Sequence, residues 1–253
     1  MTGNTDPQVR LLDLGALRPA LERLEGRVHL LTHDERAADA MGRGDAARDR
    51  RAVRIALRLL LVREGLGALA SEPLQRGPSG KPRLAGTDLD FSVSHAGDHA
   101  LIALSRACPV GVDLEPLRRL SIGEPHRSQI AAAGGALARP GDRPVGGPDH
   151  DIEVLRAWTR LEAWAKARGS GIGALLADLG LSGTGSRAAS PAAAARRAWQ
   201  LAAKEGIAVV DLALPGELTG ALATRPAVVT GRLSVSQLTV EDCEVPLDQP
   251  RSR

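Results

Sequence analysis

The stretch LDFSVSHAGDHALIALSRACPVGVDLE, residues 89–115, decides the fold class because it contains three short apolar runs in succession. Residues 89–94 alternate between apolar and polar side chains, as a strand with one buried face does. Residues 100–105 form a second apolar run, and residues 110–114 form a third after the turn at Pro109. The pattern predicts three consecutive strands.

Helical patterns lie on both sides of these strands. Residues 34–64 carry an apolar stripe of Val, Ile and Leu with an Arg-rich flank, which predicts a helix. Residues 152–168 predict a second helix that stops at Gly169. Residues 75–86 are rich in Gly and Pro and predict a loop, whereas residues 121–150 predict a loop or poorly ordered insert with at most one short helix.

The last third of the chain adds further strand candidates at residues 207–214, 220–223 and 233–240. Residues 187–197 are rich in Ala and carry little information. Helical and strand patterns do not alternate strictly, as they would in a doubly wound parallel sheet. The sequence therefore predicts a mixed α/β protein of the α+β type.

The composition of the 253-residue chain excludes some classes of function. One Phe, three Trp and no Tyr leave few rings on which nucleic-acid bases could stack, and the Lys and Arg residues form no dense strip outside the early helix. A basic nucleic-acid binder is therefore disfavoured. The formal net charge of +3 allows an anionic ligand or an acidic partner, but solvated Arg side chains explain it equally well.

The two cysteines, Cys108 and Cys243, are too few for a disulfide framework or a zinc site. The N-terminal sequence MTGNTDPQVR has no apolar signal core, and no apolar run is long enough to span a membrane. We expect a cytoplasmic protein that binds neither membrane nor nucleic acid.

The third strand carries two carboxylates, Asp113 and Glu115, in the sequence GVDLE. Residues two apart on a strand point to the same face, so these carboxylates lie side by side with Val112 and Leu114 on the opposite face. Neighbouring carboxylates repel unless a cation separates them, and Mg²⁺ takes oxygen ligands. The alternative is an ordinary solvated strand end.

The second predicted helix contains WTRLEAWAK, residues 158–166. Glu162 and Lys166 are one helical turn apart and share a face. This spacing suits a pair of functional groups, but a simple surface ion pair has the same spacing.

Two further polar motifs precede the third strand. Ser94-His95-Ala96-Gly97 follows a strand and suits an anion contact, although His95 could be structural. Gly80-Lys81-Pro82 is not a phosphate-binding P-loop, because Gln75 replaces its first Gly and Pro82 replaces its Ser or Thr. Lys81 is therefore a point charge that suits a phosphate or solvent.

The four motifs resemble the surfactin-type phosphopantetheinyl transferases in their order. They read G-K-P, F-x-x-S-H-x-G, G-V-D-L-E and W-T-x-x-E-A-x-x-K-x-x-G-x-G, and the resemblance spans residues 77–173. It implies two similar α/β halves related by a pseudo-twofold axis, with coenzyme A between them. The early basic helix and the G-K-P and S-H-A-G motifs would lie in residues 1–109, and the carboxylate motifs with the metal site in residues 110–253.

The resemblance also implies an activity, namely Mg²⁺-dependent transfer of 4′-phosphopantetheine from coenzyme A to a serine of an acyl or peptidyl carrier protein. It implies that Mg²⁺ is held by Asp113, Glu115 and Glu162, with Glu162 and Lys166 catalytic. Coenzyme A would be held by Arg48 at the 3′-phosphate, His95 at the pyrophosphate, and Lys81 and Ser94 at the nucleotide. A monomer is expected, as in relatives with both halves in one chain.

Three departures from the family pattern stand out. Leu161 replaces the usual Lys or Arg before the glutamate, and Ala96 replaces a Ser. Residues 121–151 lack the Phe-rich, Glu-containing pattern that contributes to carrier recognition in relatives. An inactive coenzyme A-binding regulatory module is the alternative function, although the set of Asp113, Glu115, Glu162 and Lys166 is intact.

Overall fold

Two β-sheets lie at the centre of the computed structural model, which describes residues 6–106, 108–139, 150–181, 189–225 and 234–244. The strands are β1 (Gln8–Asp13), β2 (Gln75–Arg76), β3 (Pro82–Arg83), β4 (Asp90–Ala96), β5 (His99–Ser105), β6 (Gly111–Pro116), β7 (Ala208–Asp211), β8 (Leu218–Thr224) and β9 (Val235–Gln237). The helices are α1 (Leu14–Val28), α2 (His33–Met41), α3 (Asp45–Leu61), α4 (Gly67–Ala70), α5 (Glu124–Gly135), α6 (His150–Arg168), α7 (Ile172–Leu179), α8 (Pro191–Glu205) and α9 (Val240–Glu244).

The first sheet has the strand order β4-β5-β1-β9, in which β9 is parallel to β1 and the other neighbours are antiparallel. Alternate residues of its strands point to opposite faces. Ile102 and Leu104 of β5 and Leu12 of β1 are buried in one core together with apolar residues of α1 and α3.

The second sheet has the order β6-β8-β7 and is antiparallel throughout. A second apolar core lies between this sheet and the helices, and it contains Ala163 and Trp164 of α6 together with apolar residues of α5, α7 and α8. Gly111 of β6 lies so close to α6 that a Cβ atom there would overlap the backbone of Ala163 and Ala167. The absence of a side chain at this position therefore sets the distance between β6 and α6.

The two sheets face each other through a third apolar cluster. Leu11 and Leu101 of the first sheet are buried against Val112, Leu114 and Leu222 of the second. This contact places the polar ends of β4 and β6 beside each other. The predicted mixed α/β fold is confirmed, with two sheets that are both covered by helices.

Most predicted elements are present, and all six predicted strands correspond to observed ones. The predicted helix at residues 152–168 is α6, and it ends before Gly169, which has a φ of 67°. The insert after β6 contains one helix, α5, and residues 140–149 of that prediction lie outside the described residues.

The single helix predicted for residues 34–64 is wrong, because the structure has two helices and a π-helical turn there. Thr32 and Glu35 form a capping box at the start of α2. Gly44 then adopts a φ of 81°, a value that residues other than glycine rarely adopt, and α3 begins after it. Several elements have no predicted counterpart, namely α1, α4, α7, α8, α9 and β1. The short strands β2 and β3 lie in residues 75–86, for which the sequence predicts a loop.

The division at residues 109 and 110 falls between β5 of the first sheet and β6 of the second. It remains a prediction, as does the pseudo-twofold relation of the halves. The last described segment returns to the first sheet, since β9 pairs with β1 and Leu238 and Cys243 are buried in the first core. None of the helices in the described parts of the chain is both long and apolar enough to cross a membrane.

We expect Gly111→Ala to destabilise the fold by about 3 kcal/mol, because the added methyl group must force β6 away from the backbone of α6. The matched control is Gly173→Ala on α7, where an added Cβ meets no atom within 4 Å. That control should be neutral or stabilise the protein by about 0.5 kcal/mol. Urea unfolding followed by circular dichroism measures both values, and equal free energies of unfolding would contradict the close packing of β6 on α6.

Candidate functional site

The polar side chains of β4 hold β6 in position. The carboxylate of Asp90 accepts a hydrogen bond from the backbone N–H of Val110 at 2.8 Å, and the hydroxyl of Ser92 accepts one from the N–H of Val112 at 3.0 Å. These side chains share a face of β4 because they are two residues apart. They fix the register of β6 against β4 and so position Asp113.

Asp113, Ser94 and Lys166 form one hydrogen-bonded group between β6, β4 and α6. Asp113 Oδ1 accepts hydrogen bonds from Ser94 Oγ at 2.8 Å and from Lys166 Nζ at 2.7 Å. Lys166 Nζ also donates to Ser94 Oγ at 3.0 Å. The Asp113 side chain is only 7% exposed, so this is a largely buried ion pair, which loses more on removal of one partner than a surface pair does.

Glu162 lies one helical turn before Lys166 on α6 and is half-buried. Burial raises the pKa of the Glu162 carboxyl, and the charges of Asp113 and Glu115 raise it further, while Lys166 opposes them. The charges of both β6 carboxylates therefore act on Glu162. A carboxylate with a raised pKa is a stronger proton acceptor than an ordinary glutamate.

Glu115 lies at the exposed end of the same strand face. Its Oε2 accepts a hydrogen bond from Arg118 three residues later at 3.0 Å. This ion pair is half solvated and contributes little to stability.

The donor set at this site fits a hard divalent cation in its chemistry. The second oxygen of Asp113, Oδ2, is buried and has no hydrogen-bond partner among the described residues. Burying a carboxylate oxygen without a partner costs free energy, which a bound cation or a hydrogen-bond donor would offset. Nevertheless, in the described part of the chain no group of three or more His, Cys, Asp or Glu side chains lies close enough together to hold a metal ion. The metal assignment to Asp113, Glu115 and Glu162 therefore stays a prediction.

A cleft of about 190 Å³ adjoins this group. It lies between β4, the loop before β3 and the C-terminal end of α6, where the Ser79 hydroxyl donates to the carbonyl of Gly169. Lys81, Glu162 and Lys166 supply its charged lining. The structure thus brings Lys81 of the loop before β3 together with Glu162 and Lys166 of α6 at one cavity.

Lys81 is held by groups of the protein itself. Its ammonium donates to Asp90 Oδ2 at 2.6 Å and to the carbonyl of Val110 at 2.9 Å, and its side chain is 8% exposed. Burial lowers the pKa of Lys81, and the hydrogen bond to Asp90 opposes this effect. Lys81 therefore ties the loop before β3 to the start of β6.

His95 and Arg48 do not join this group. His95 is exposed at the end of β4 and is not among the residues that line the cleft. Arg48 lies at the start of α3 beside a second cavity of about 300 Å³, which Arg43 and Arg51 also line. Arg48 forms an exposed ion pair with Asp45 at 3.2 Å. Lys81, His95 and Arg48 therefore do not line one cavity here, and their assignment to coenzyme A stays a prediction.

Some residues of the site were not predicted from the sequence. Asp90 and Ser92 position β6, and the alternation of polar residues at 90, 92 and 94 is the signal that could have revealed them. Leu161 is fully buried in the second core, and Arg160 forms a two-pronged ion pair with Asp211 at 2.7 and 2.5 Å. The residue before Glu162 is therefore an apolar core residue, and the neighbouring Arg160 is held by Asp211.

Comparison with known proteins confirms the resemblance that the motifs predict. The chain is 36% identical over 123 residues to the 4′-phosphopantetheinyl transferase AcpT of Salmonella typhi, covering 47% of this chain and 60% of that protein. It is 36% identical over 95 residues to AcpT of Escherichia coli O157:H7, covering 37% and 47%. A Synechocystis protein that is provisionally named for the same activity is 33% identical over 125 residues, covering 47% and 49%.

The chain spans about half the length of these curated relatives. No protein-family model matches it. Over about half of its length, the chain is therefore similar to proteins named 4′-phosphopantetheinyl transferases.

Proposed function

We propose that this chain transfers 4′-phosphopantetheine from coenzyme A to a serine of an acyl or peptidyl carrier protein, giving the loaded carrier and 3′,5′-ADP. One observation carries the proposal: Asp113 and Lys166 form a largely buried ion pair beside a cleft that Glu162 also lines. A buried ion pair often adds little net stability, because desolvation of the charges offsets their attraction. A functional role is therefore the better explanation of this pair. The similarity to proteins named 4′-phosphopantetheinyl transferases supports the same activity.

Asp113, Glu115 and Glu162 would hold Mg²⁺, because they supply hard oxygen ligands and one of their oxygens has no partner. When bound, Mg²⁺ neutralises and orients the pyrophosphate of coenzyme A. The carboxylate of Asp113 is fixed for this purpose by the hydrogen bond from Ser94 on the neighbouring strand.

Glu162 would accept the proton of the carrier serine hydroxyl as its oxygen attacks the β-phosphorus of coenzyme A. The new bond joins the serine oxygen to that phosphorus, and the bond to the 3′,5′-ADP oxygen breaks. The raised pKa of Glu162 makes the carboxylate a better base. Lys166 would place its ammonium where negative charge grows on the leaving group.

The remaining contacts to coenzyme A are part of the proposal. His95 at the end of β4 would meet the pyrophosphate, with Ser94 and Lys81 on the nucleotide side. Arg48 would meet the 3′-phosphate at the separate cavity near the start of α3, where Arg43 and Arg51 add positive charge. A monomer in the cytoplasm completes the proposal, and the two buried free cysteines agree with a reducing compartment.

Incubation of the protein with coenzyme A, Mg²⁺ and a panel of apo acyl and peptidyl carrier proteins tests the activity. We expect at least one carrier to gain the mass of one phosphopantetheine group, and the gain should need the acceptor serine and disappear with a chelator. Tight binding of coenzyme A without a mass gain on any carrier would reject the proposal in favour of the inactive binding module.

A further inference from the structure

The carboxylate of Asp113 has one oxygen that two donors already occupy and one that is buried. Oδ1 already accepts hydrogen bonds from Ser94 and Lys166, at 2.8 and 2.7 Å. Oδ2 is enclosed by protein atoms and has no hydrogen-bond partner among the described residues. A cation can therefore coordinate Asp113 only after a neighbouring group has moved.

Of the two donors on Oδ1, Lys166 is the one that can move. Ser94 has a short side chain on a buried position of β4. Lys166 carries its ammonium on a flexible four-carbon chain, is 29% exposed and lines the open cleft. The ammonium can leave Asp113 for the cleft without any shift of the backbone of α6.

The exchange also suits the charges of the site. The charges of Asp113 and Glu115 both act on Glu162, and Lys166 is the cation bonded to Asp113, the most buried of the three. A divalent cation brings one more positive charge than the ammonium it replaces. Two cations in contact with the same buried oxygen would repel each other, so simultaneous occupation is unfavourable.

We propose that Lys166 and a divalent cation compete for Asp113, so that the lysine closes the carboxylate site until the cation displaces it. This inference rests on the proposed function, because it concerns the residues assigned to metal binding. The displaced ammonium then lies at the cleft, where the proposed reaction places it against charge that grows on the leaving group.

Binding of Mn²⁺, which takes the same oxygen ligands as Mg²⁺, tests the competition by electron paramagnetic resonance on the whole chain without coenzyme A or carrier. Lys166→Met removes the ammonium but keeps the length and apolar part of the side chain. We expect it to bind Mn²⁺ about tenfold more tightly than the unmodified protein, which corresponds to about 1.4 kcal/mol. Lys166→Arg, which keeps the charge, should stay within about threefold of the unmodified protein.

The matched control is Arg168→Gln on the same helix. Arg168 pairs with Asp178 and Glu205 and has no bond to Asp113, so this variant loses the same charge elsewhere. Its affinity for Mn²⁺ should change by less than about twofold if the competition is local. Circular dichroism checks that each variant is folded, and Lys166→Gln replaces the Met variant if that variant is not.

The outcomes separate the inference from the proposed function. Equal Mn²⁺ affinity in Lys166→Met and the unmodified protein, together with loss of binding in Asp113→Asn, would keep the cation site and overturn the competition. Weaker binding in Lys166→Met would also overturn it. An absence of Mn²⁺ binding in every variant would reject the metal assignment itself, and the competition with it.

Discussion

Replacing Asp113 by alanine is expected to reduce transfer to the carrier by a factor on the order of a thousand or more, the scale for loss of a central charge-stabilising group. The carboxylate is the most buried of the three acidic groups and the acceptor for both Ser94 and Lys166. Its removal takes away a ligand for the cation and also releases the two side chains that it orients. Rates of carrier modification at saturating coenzyme A and Mg²⁺ measure the effect.

Two controls make this result specific to the site. Asp178→Ala removes an exposed carboxylate from a surface ion pair with Arg168, so it should leave the rate within about twofold. Melting curves of Asp113→Ala should show a folded protein, because Lys166 is 29% exposed and can turn its ammonium to solvent. Full activity in Asp113→Ala would show that the carboxylate has a structural role only.

Lys166→Ala is expected to lower turnover about a hundredfold while changing the affinity for coenzyme A by less than about threefold. The reason is that its ammonium would act on charge that grows only in the transition state. Single-turnover rates and coenzyme A binding by calorimetry separate the two effects. Unchanged turnover would reject the catalytic assignment.

Glu162→Gln serves as the companion variant because it keeps the shape of the side chain and removes its charge. It should slow turnover by a similar factor and weaken cation binding as well, since Glu162 is assigned to both tasks. Lys166→Ala should not weaken cation binding. The two variants therefore differ in a measurement that does not depend on the rate.

Secondary structure is easiest to predict where the burial of one face leaves a periodic apolar pattern in the element's own residues. β4, β5 and β6 alternate or run apolar because each buries a face between a helix layer and the other sheet, so periodicity locates them. α6 is located by its apolar faces and by the glycine that ends it. In contrast, β1 is a strand because it pairs with both β5 and β9, and neither contact is visible in its own six residues.

The same difference applies to the site, where some positions follow from spacing within one element and others depend on partners elsewhere in the fold. Asp113, Glu162 and Lys166 became candidates through the family resemblance, and spacing on one strand and one helix assigns their faces. The Arg-rich early helix could not be resolved this way, because its guanidinium groups pair with acids whose positions depend on the fold. Arg51 and Arg54 both pair with Asp39 of α2, and Arg58 pairs with Glu35.

The parallel pairing of β9 with β1 has a consequence for how the protein is made. A nascent chain that has left the ribosome as far as β8 has all strands of the first sheet except the one that covers the outer edge of β1. Until residues 235–237 emerge, that edge presents unpaired backbone groups, which readily bind a strand of a neighbouring polypeptide. β9 therefore also protects β1 from aggregation on the polysome.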